Sequence, residues 1–151
     1  MRILAAPALL LALAACDSRS PEPALPEVAM VDGAWIQLPP VPGRPAAGYF
    51  NLDAPADRQA LVRVTSPAAG RIEMHETGTS DGMSSMRRVE AQPIRHQSIT
   101  FSPGFRHLML FDLDKAVKAG DKIPLTFHFA QGEPISGEAE VRAIGTTDDR
   151  H

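Results

Sequence analysis

The sequence predicts an all-β domain, a sandwich or barrel of about eight to ten short strands. From Val28 onward, short apolar or alternating runs are separated by Pro, Gly and Asp. No run is long enough for a stable helix, and many are rich in Val, Ile, Phe or Thr, which favour strands. Such runs, with turn signals between them, are typical of β-sandwiches. The candidate strands are Val28–Val31, Ala34–Leu38, Ala47–Leu52, Ala60–Val64, Arg71–His75, Ser85–Val89, Ser98–Phe101, His107–Leu113, Leu125–Ala130 and Gly137–Ile144.

The first residues form an export signal rather than part of the fold. Arg2 supplies a positive charge, and residues 3–15 are an unbroken apolar run. This run is too short to span a bilayer but fits the apolar region of a secretory signal. It ends in Leu13-Ala14-Ala15-Cys16, which resembles the bacterial lipobox. We therefore expect residues 1–15 to be a lipoprotein signal peptide; an ordinary signal with an incidental cysteine is the alternative.

Cys16 is the only cysteine in the sequence, and lipid attachment accounts for an odd cysteine in an exported chain. Residues 16–27 contain three prolines and are expected to form a flexible tether, followed by a domain at 28–145 and a disordered tail at 146–151. Asp17 resembles the inner-membrane retention signal of enterobacterial lipoproteins. The expected location is the periplasm, with a lipid anchor in the inner membrane.

Composition and motifs exclude two classes of function. The chain has a net charge of −3 and no basic stripe, so nucleic acid is not an expected partner. No nucleophile–base pair, phosphate-binding loop or carboxylate pair stands out, so the protein is not expected to be an enzyme.

Methionine and histidine are concentrated in the middle of the chain. In a strand alternate side chains share a face, so Leu108 and Leu110 point into the core while His107 and Met109 point together the other way. Seven of the methionines and histidines fall between positions 74 and 109: Met74, His75, Met83, Met86, His96, His107 and Met109.

A second strand, Arg71–His75, divides in the same way and leaves His75 on the face opposite Ile72 and Met74. The following segment, 76–86, is rich in Gly and Ser and is expected to be mobile enough to bring a methionine, Met83 or Met86, over that end. Two imidazoles and two thioethers are a neutral, soft donor set that favours Cu(I) over Zn(II), Mg(II) or Ca(II). Without a cysteine ligand, the site does not suit an electron-transfer copper protein.

The spacing of these residues resembles the His/Met motif of periplasmic copper chaperones of the PCuAC type. In this motif His75 is followed by ten residues and Met86, and later by His107-Leu108-Met109. The segments Gly33–Ile36, Ala46–Phe50 and Pro103–Leu110 fit the same family. The similarity extends from about Val28 to Ile144.

The resemblance implies a cupredoxin-like Greek-key β-sandwich that binds Cu(I) at one end. It implies His75, Met86, His107 and Met109 as ligands, with Met83 as the alternative to Met86. It also implies delivery of copper to the Cu(A) centre of cytochrome oxidase, directly or through a Sco-type thiol protein.

Other interpretations stay open at this stage. A copper-scavenging or resistance lipoprotein would use the same chemistry, and a structural lipoprotein would bind no metal. Glu76, next to His75, is a candidate to hold the second nitrogen of a ligand histidine. Met30, Met74 and Met83 are expected to fill the core, His96 to be solvated and His128 to lie on a sheet face.

Overall fold

The computed structural model describes residues 28–80 and 82–145, and the regular structure of this part is almost entirely β. A short 3-10 helix, Ala56–Arg58, is the exception within the described residues. The prediction of an all-β domain of about eight to ten strands is confirmed. The signal peptide, the lipidation of Cys16, the tether at 16–27 and the tail at 146–151 lie outside the described residues. The strands are β1 (Met30–Gln37), β2 (Ala46–Asp53), β3 (Ala60–Thr65), β4 (Ala69–Ser80), β5 (Met83–Val89), β6 (Gln92–Pro93), β7 (Ser98–Phe101), β8 (Arg106–Leu113), β9 (Lys122–Phe129) and β10 (Ile135–Arg142).

The strands form one continuous sheet in the order β5-β4-β8-β2-β1-β10-β9-β3-β6, with β7 also paired to β2. The sheet folds over on itself. Phe50 in β2 and Phe127 in β9 are separated in this order by β1 and β10, yet their ring centroids are 4.9 Å apart. Both halves of the sheet therefore cover one hydrophobic core.

Side chains alternate between this core and the outer surface, as the period of a strand requires. On β8, Leu108 and Leu110 are fully buried, as expected from the sequence, and Met74 on β4 is buried too. The core prediction is wrong for Met30 and Met83, which are 59% and 72% exposed because they begin β1 and the edge strand β5. Among the described residues, no helix is long and apolar enough to span a membrane. The largest fully buried side chains are Phe50, Phe127, Ile36, Leu52, Leu61, Leu108, Leu110, Leu125, Val64 and Val141.

Three of the predicted segments differ from the structure. The runs 28–31 and 34–38 are joined in one strand, β1, which is interrupted by a bulge between Asp32 and Trp35. Gly33, at a φ of +58°, gives the backbone the freedom that the bulge requires. The segment 76–86, predicted to be mobile, is instead a β-hairpin made of the end of β4 and most of β5.

The β4–β5 hairpin extends beyond its neighbour. β8 pairs with β4 as far as Glu76, whereas the pairing of β4 with β5 continues to Ser80. β5 is also an edge strand, and nearly all of its residues are exposed. The chain thus places an exposed edge next to the strand that carries His75.

Candidate metal-binding site

His75 and His107 lie directly opposite each other on β4 and β8. Their ring centroids are 6.0 Å apart and the rings are inclined by 29°. The pair lies on the outer face, because Met74 and Leu108, which are also opposite each other, point into the core. His107 is nevertheless buried, with 7% of its surface exposed.

Met109 follows two residues after His107 on β8, so its side chain lies on the same face. Its partner across the sheet is Glu73 on β4. The structure therefore brings both histidines, Met109 and Glu73 together in two adjacent rows.

The carboxylate of Glu73 holds the ring of His75. The Nε2 atom of His75 lies 3.0 Å from Oε2 of Glu73, whose side chain is only 11% exposed. This hydrogen bond lowers the pKa of Glu73; burial opposes the shift, and the charges of Arg71 and Arg88 add to it.

The other ring nitrogen, Nδ1 of His75, is buried and has no hydrogen-bond partner among the described residues. Because Nε2–H donates to a carboxylate, the neutral tautomer leaves a lone pair on Nδ1. Histidines that bind metals are commonly held this way, with the second nitrogen donating to a carboxylate. An unpartnered buried nitrogen is therefore a natural position for a metal ligand.

His107 is governed mainly by its burial. Burial lowers the pKa of His107, a hydrogen bond to the backbone of Phe105 opposes the shift, and the nearby charge of His75 adds to it.

A tight turn fixes the position of the Phe105 carbonyl. The Phe105 amide donates to the Ser102 carbonyl at 3.1 Å, and Gly104 between them has a φ of +82°. Proline at 103 and glycine at 104 are the residues that a type II turn favours in its two central positions. The Phe105 carbonyl also accepts the Thr77 amide at 2.9 Å, so the turn fastens the start of β8 to β4.

The register of β5 distinguishes the two candidate methionines. Met86 lies opposite Thr77, on the same face as His75, whereas Met83 lies opposite Ser80 and therefore on the other face. Met86 is 55% exposed. Its strand is two strand spacings, about 10 Å, from β8, so only its long side chain can reach toward His107.

The expectation for Glu76 is wrong. Adjacent residues of a strand point to opposite faces, so Glu76 points away from the face of His75. Its carboxylate pairs instead with Arg106 at 3.0 Å and with Arg87. Glu73 was not predicted as the partner of His75. The same alternation nevertheless places Glu73, two positions before His75, on the face of that histidine.

The other histidines of the described segments lie elsewhere. Nε2 of His128, on β9, is 3.0 Å from Oγ1 of Thr65. His96 is exposed, in a turn, at a φ of +51°. Within the described residues no group of three or more His, Cys, Asp or Glu side chains is placed to hold a metal ion. The two histidines thus have no third donor of these four residue types within the described segments, and Met109 is the neighbouring sulfur on their face.

Comparisons with known proteins show the family and the fold. The family model described as "Putative lipoprotein LpqE-like" matches residues 29–141, most of the chain. An uncharacterized protein of Rickettsia prowazekii, RP573, is 34% identical over 87 residues, which are 56% of this chain and 48% of that protein. The chain thus matches about half the length of this relative.

Two solved structures share the fold. The copper-bound PCuAC domain from PmoF2 superposes with a TM-score of 0.60 at 22% identity, covering 80% of this chain and 96% of that domain. The solution structure of CuI-DR1885 from Deinococcus radiodurans gives a TM-score of 0.62 at 26% identity, covering 78% of this chain and 80% of that one. The cupredoxin-like fold predicted from the sequence is confirmed. The chain therefore belongs to the LpqE-like family, and its domain has the fold of the PCuAC domains.

Proposed function

We propose that the protein is a metallochaperone that binds one Cu(I) ion through His75, His107, Met109 and Met86 and passes it to an acceptor protein. The observation that carries the proposal is the buried Nδ1 atom of His75, which has no hydrogen-bond partner among the described residues and belongs to a ring 6.0 Å from that of His107. Copper is the cargo of this site rather than a resident cofactor.

The donor set determines the metal. Thioether sulfur favours Cu(I) and is a poor ligand for harder divalent ions. His75 and His107 supply nitrogen, Met109 lies on the same face, and Met86 can reach over from the exposed edge strand. Two of the structural neighbours are named for bound copper, one of them for Cu(I). A carrier role fits better than catalysis, since four protein ligands leave no position for a substrate.

The N-terminus and the family support the cellular setting that we propose. Members of a lipoprotein family are held at a membrane by a lipid, and Cys16 ends a lipobox-like segment. We place the domain in the periplasm, tethered to the inner membrane. The acceptor is the Cu(A) subunit of cytochrome oxidase or a Sco-type thiol protein.

A Cu(I) competition titration under anaerobic conditions, with X-ray absorption on the loaded protein, tests the proposal. We expect one ion per protein and a shell of two nitrogen and two sulfur donors. His107→Ala and Met109→Ala should each weaken binding strongly, while His128→Ala, a histidine on a different strand, should not. A shell without sulfur, or equal affinities for His107→Ala and His128→Ala, would contradict the proposal.

A further inference from the structure

Two histidines and a glutamate meet on the outer face of β4 and β8. His75 and His107 lie opposite each other, and the Glu73 side chain lies on the same face, two residues before His75. Some zinc enzymes bind their metal through two histidines and one glutamate, with the carboxylate as a direct ligand. Zinc is therefore a competitor of copper for this face of the sheet.

The Glu73 carboxylate is already occupied by three other side chains. Its Oε2 atom lies 3.0 Å from Nε2 of His75. Its Oε1 atom lies 3.3 Å from Nε of Arg71 and 3.5 Å from Nη1 of Arg88. Both oxygens are thus in use, on a side chain that is only 11% exposed. This explains why the described residues place no group of three or more His, Cys, Asp or Glu side chains to hold a metal ion.

The fold brings the two arginines to Glu73 from different directions. Arg71 belongs to the same strand as Glu73, and its Cζ atom lies 4.3 Å from the centre of the Phe111 ring on β8. Arg88 comes from the neighbouring strand β5, where it lies directly opposite His75. One oxygen of Glu73 is therefore held by both arginines, while the other is left to the ring of His75.

The charges around Glu73 balance. Glu73 and Glu90 are negative, Arg71 and Arg88 are positive, and Glu90 pairs with Nε of Arg88 at 3.1 Å. The energy of an ion near a fixed charge is proportional to the charge of the ion. Neutralising Glu73 therefore withholds twice as much electrostatic stabilisation from a divalent ion as from a monovalent one.

We propose that Arg71 and Arg88 make the site selective for monovalent copper over zinc, because they neutralise Glu73 and keep its carboxylate from the metal. This inference rests on the proposed function. Thioether donors favour Cu(I), and the loss of an available carboxylate disfavours a divalent ion, so the two effects add. Arg71 and Arg88 act through Glu73 and are positioning residues rather than ligands.

Arg88 is the residue to change first, because its side chain is 55% exposed and its loss leaves no cavity. Arg88→Gln leaves Glu73 with one arginine and gives this face a net negative charge. Arg88→Lys keeps the positive charge. Arg87→Gln is the matched control, since Arg87 is the neighbouring residue but pairs with Glu76 on the opposite face.

Equilibrium titrations with Cu(I) and with Zn(II), each in competition with a chromophoric chelator, test the inference. We expect Arg88→Gln to raise the Cu(I) affinity about threefold and the Zn(II) affinity about tenfold or more, because the same change in field acts on twice the charge. The threefold figure is small because water screens an arginine that is more than half exposed. Arg88→Lys and Arg87→Gln should each keep both affinities within about twofold of the native protein.

A gain in Zn(II) affinity no larger than the gain in Cu(I) affinity would overturn the inference. The same gain in Arg88→Lys or in Arg87→Gln would also overturn it, since the effect would not then depend on charge at this face. Arg71→Gln, which removes the other partner of Oε1, should shift both affinities in the same direction and provides a second test if Arg88→Gln does not fold. Normal Cu(I) binding with an unchanged preference over Zn(II) would refute the selectivity alone, whereas a native protein that bound no Cu(I) would refute the proposed function itself.

Discussion

Replacing Glu73 with glutamine tests whether the carboxylate sets the ring of His75 for metal binding. The Glu73–His75 contact is 3.0 Å long and the carboxylate is only 11% exposed, so little water competes for it. Glutamine keeps an oxygen that can accept from Nε2 but loses the charge that makes the ring a better donor. Loss of such a supporting partner typically weakens metal binding about 10- to 100-fold. We expect Glu73→Gln to weaken Cu(I) binding about 10-fold and Glu73→Ala to weaken it about 100-fold.

Glu76→Gln is the matched control. Glu76 lies three residues further along the same strand and pairs with two arginines, as Glu73 does, but it points to the other face. Cu(I) affinity is measured by competition with a chromophoric chelator, and thermal unfolding of the metal-free proteins verifies that both variants fold. Equal affinities for Glu73→Gln and Glu76→Gln would refute the reasoning, because the two changes differ chiefly in the face they affect.

Three further predictions concern other parts of the fold. Met86→Leu should weaken Cu(I) binding about tenfold or more, whereas Met83→Leu should leave it unchanged because Met83 lies on the opposite face. The same competition titration measures both affinities, and equal effects of the two changes would contradict the register argument. Leu110→Ala should lower the free energy of unfolding by about 2–5 kcal/mol, measured by urea denaturation, since the side chain is fully buried. Burial, with a smaller effect of Arg63, lowers the pKa of His128 below 6.5, so the unfolded chain takes up its proton first and stability should fall as pH drops below that value. His128→Gln should make this fall shallower in urea unfolding from pH 7 to 5, and an unchanged slope would show that His128 does not contribute.

Local alternation predicted the faces of individual strands because it depends only on neighbouring residues. The inward side chains Leu108 and Leu110 are buried as the pattern required. Pairing between strands is different, because it depends on residues far apart in sequence. The sequence put His75 and His107 on strand faces, but only the register of β4 against β8 puts them opposite each other.

The hairpin at 76–86 was missed because its Gly, Ser and Thr content is typical of loops. The sequence does contain an Asp-Gly pair at 81–82, which is a strong hairpin signal, and the pairing of β4 with β5 extends to Ser80 and Met83. Glu76 was chosen for its adjacency to His75 along the chain. On a strand, adjacency separates two side chains, and Glu73, two positions away, is the residue that meets the ring.

The arrangement of the proposed ligands explains how one site can both hold and release an ion. His107 is buried, and the ring of His75 is held by the Glu73 carboxylate, so these two donors are the less exposed part of the proposed site. Met86 lies on the exposed edge strand β5. Within the described residues, no further strand pairs with the outer edge of β5. A competing sulfur ligand can therefore displace the thioether first, while the histidines keep the ion from water. The absence of a thiolate lowers the barrier to that exchange, since a neutral thioether binds Cu(I) less strongly than a charged sulfur.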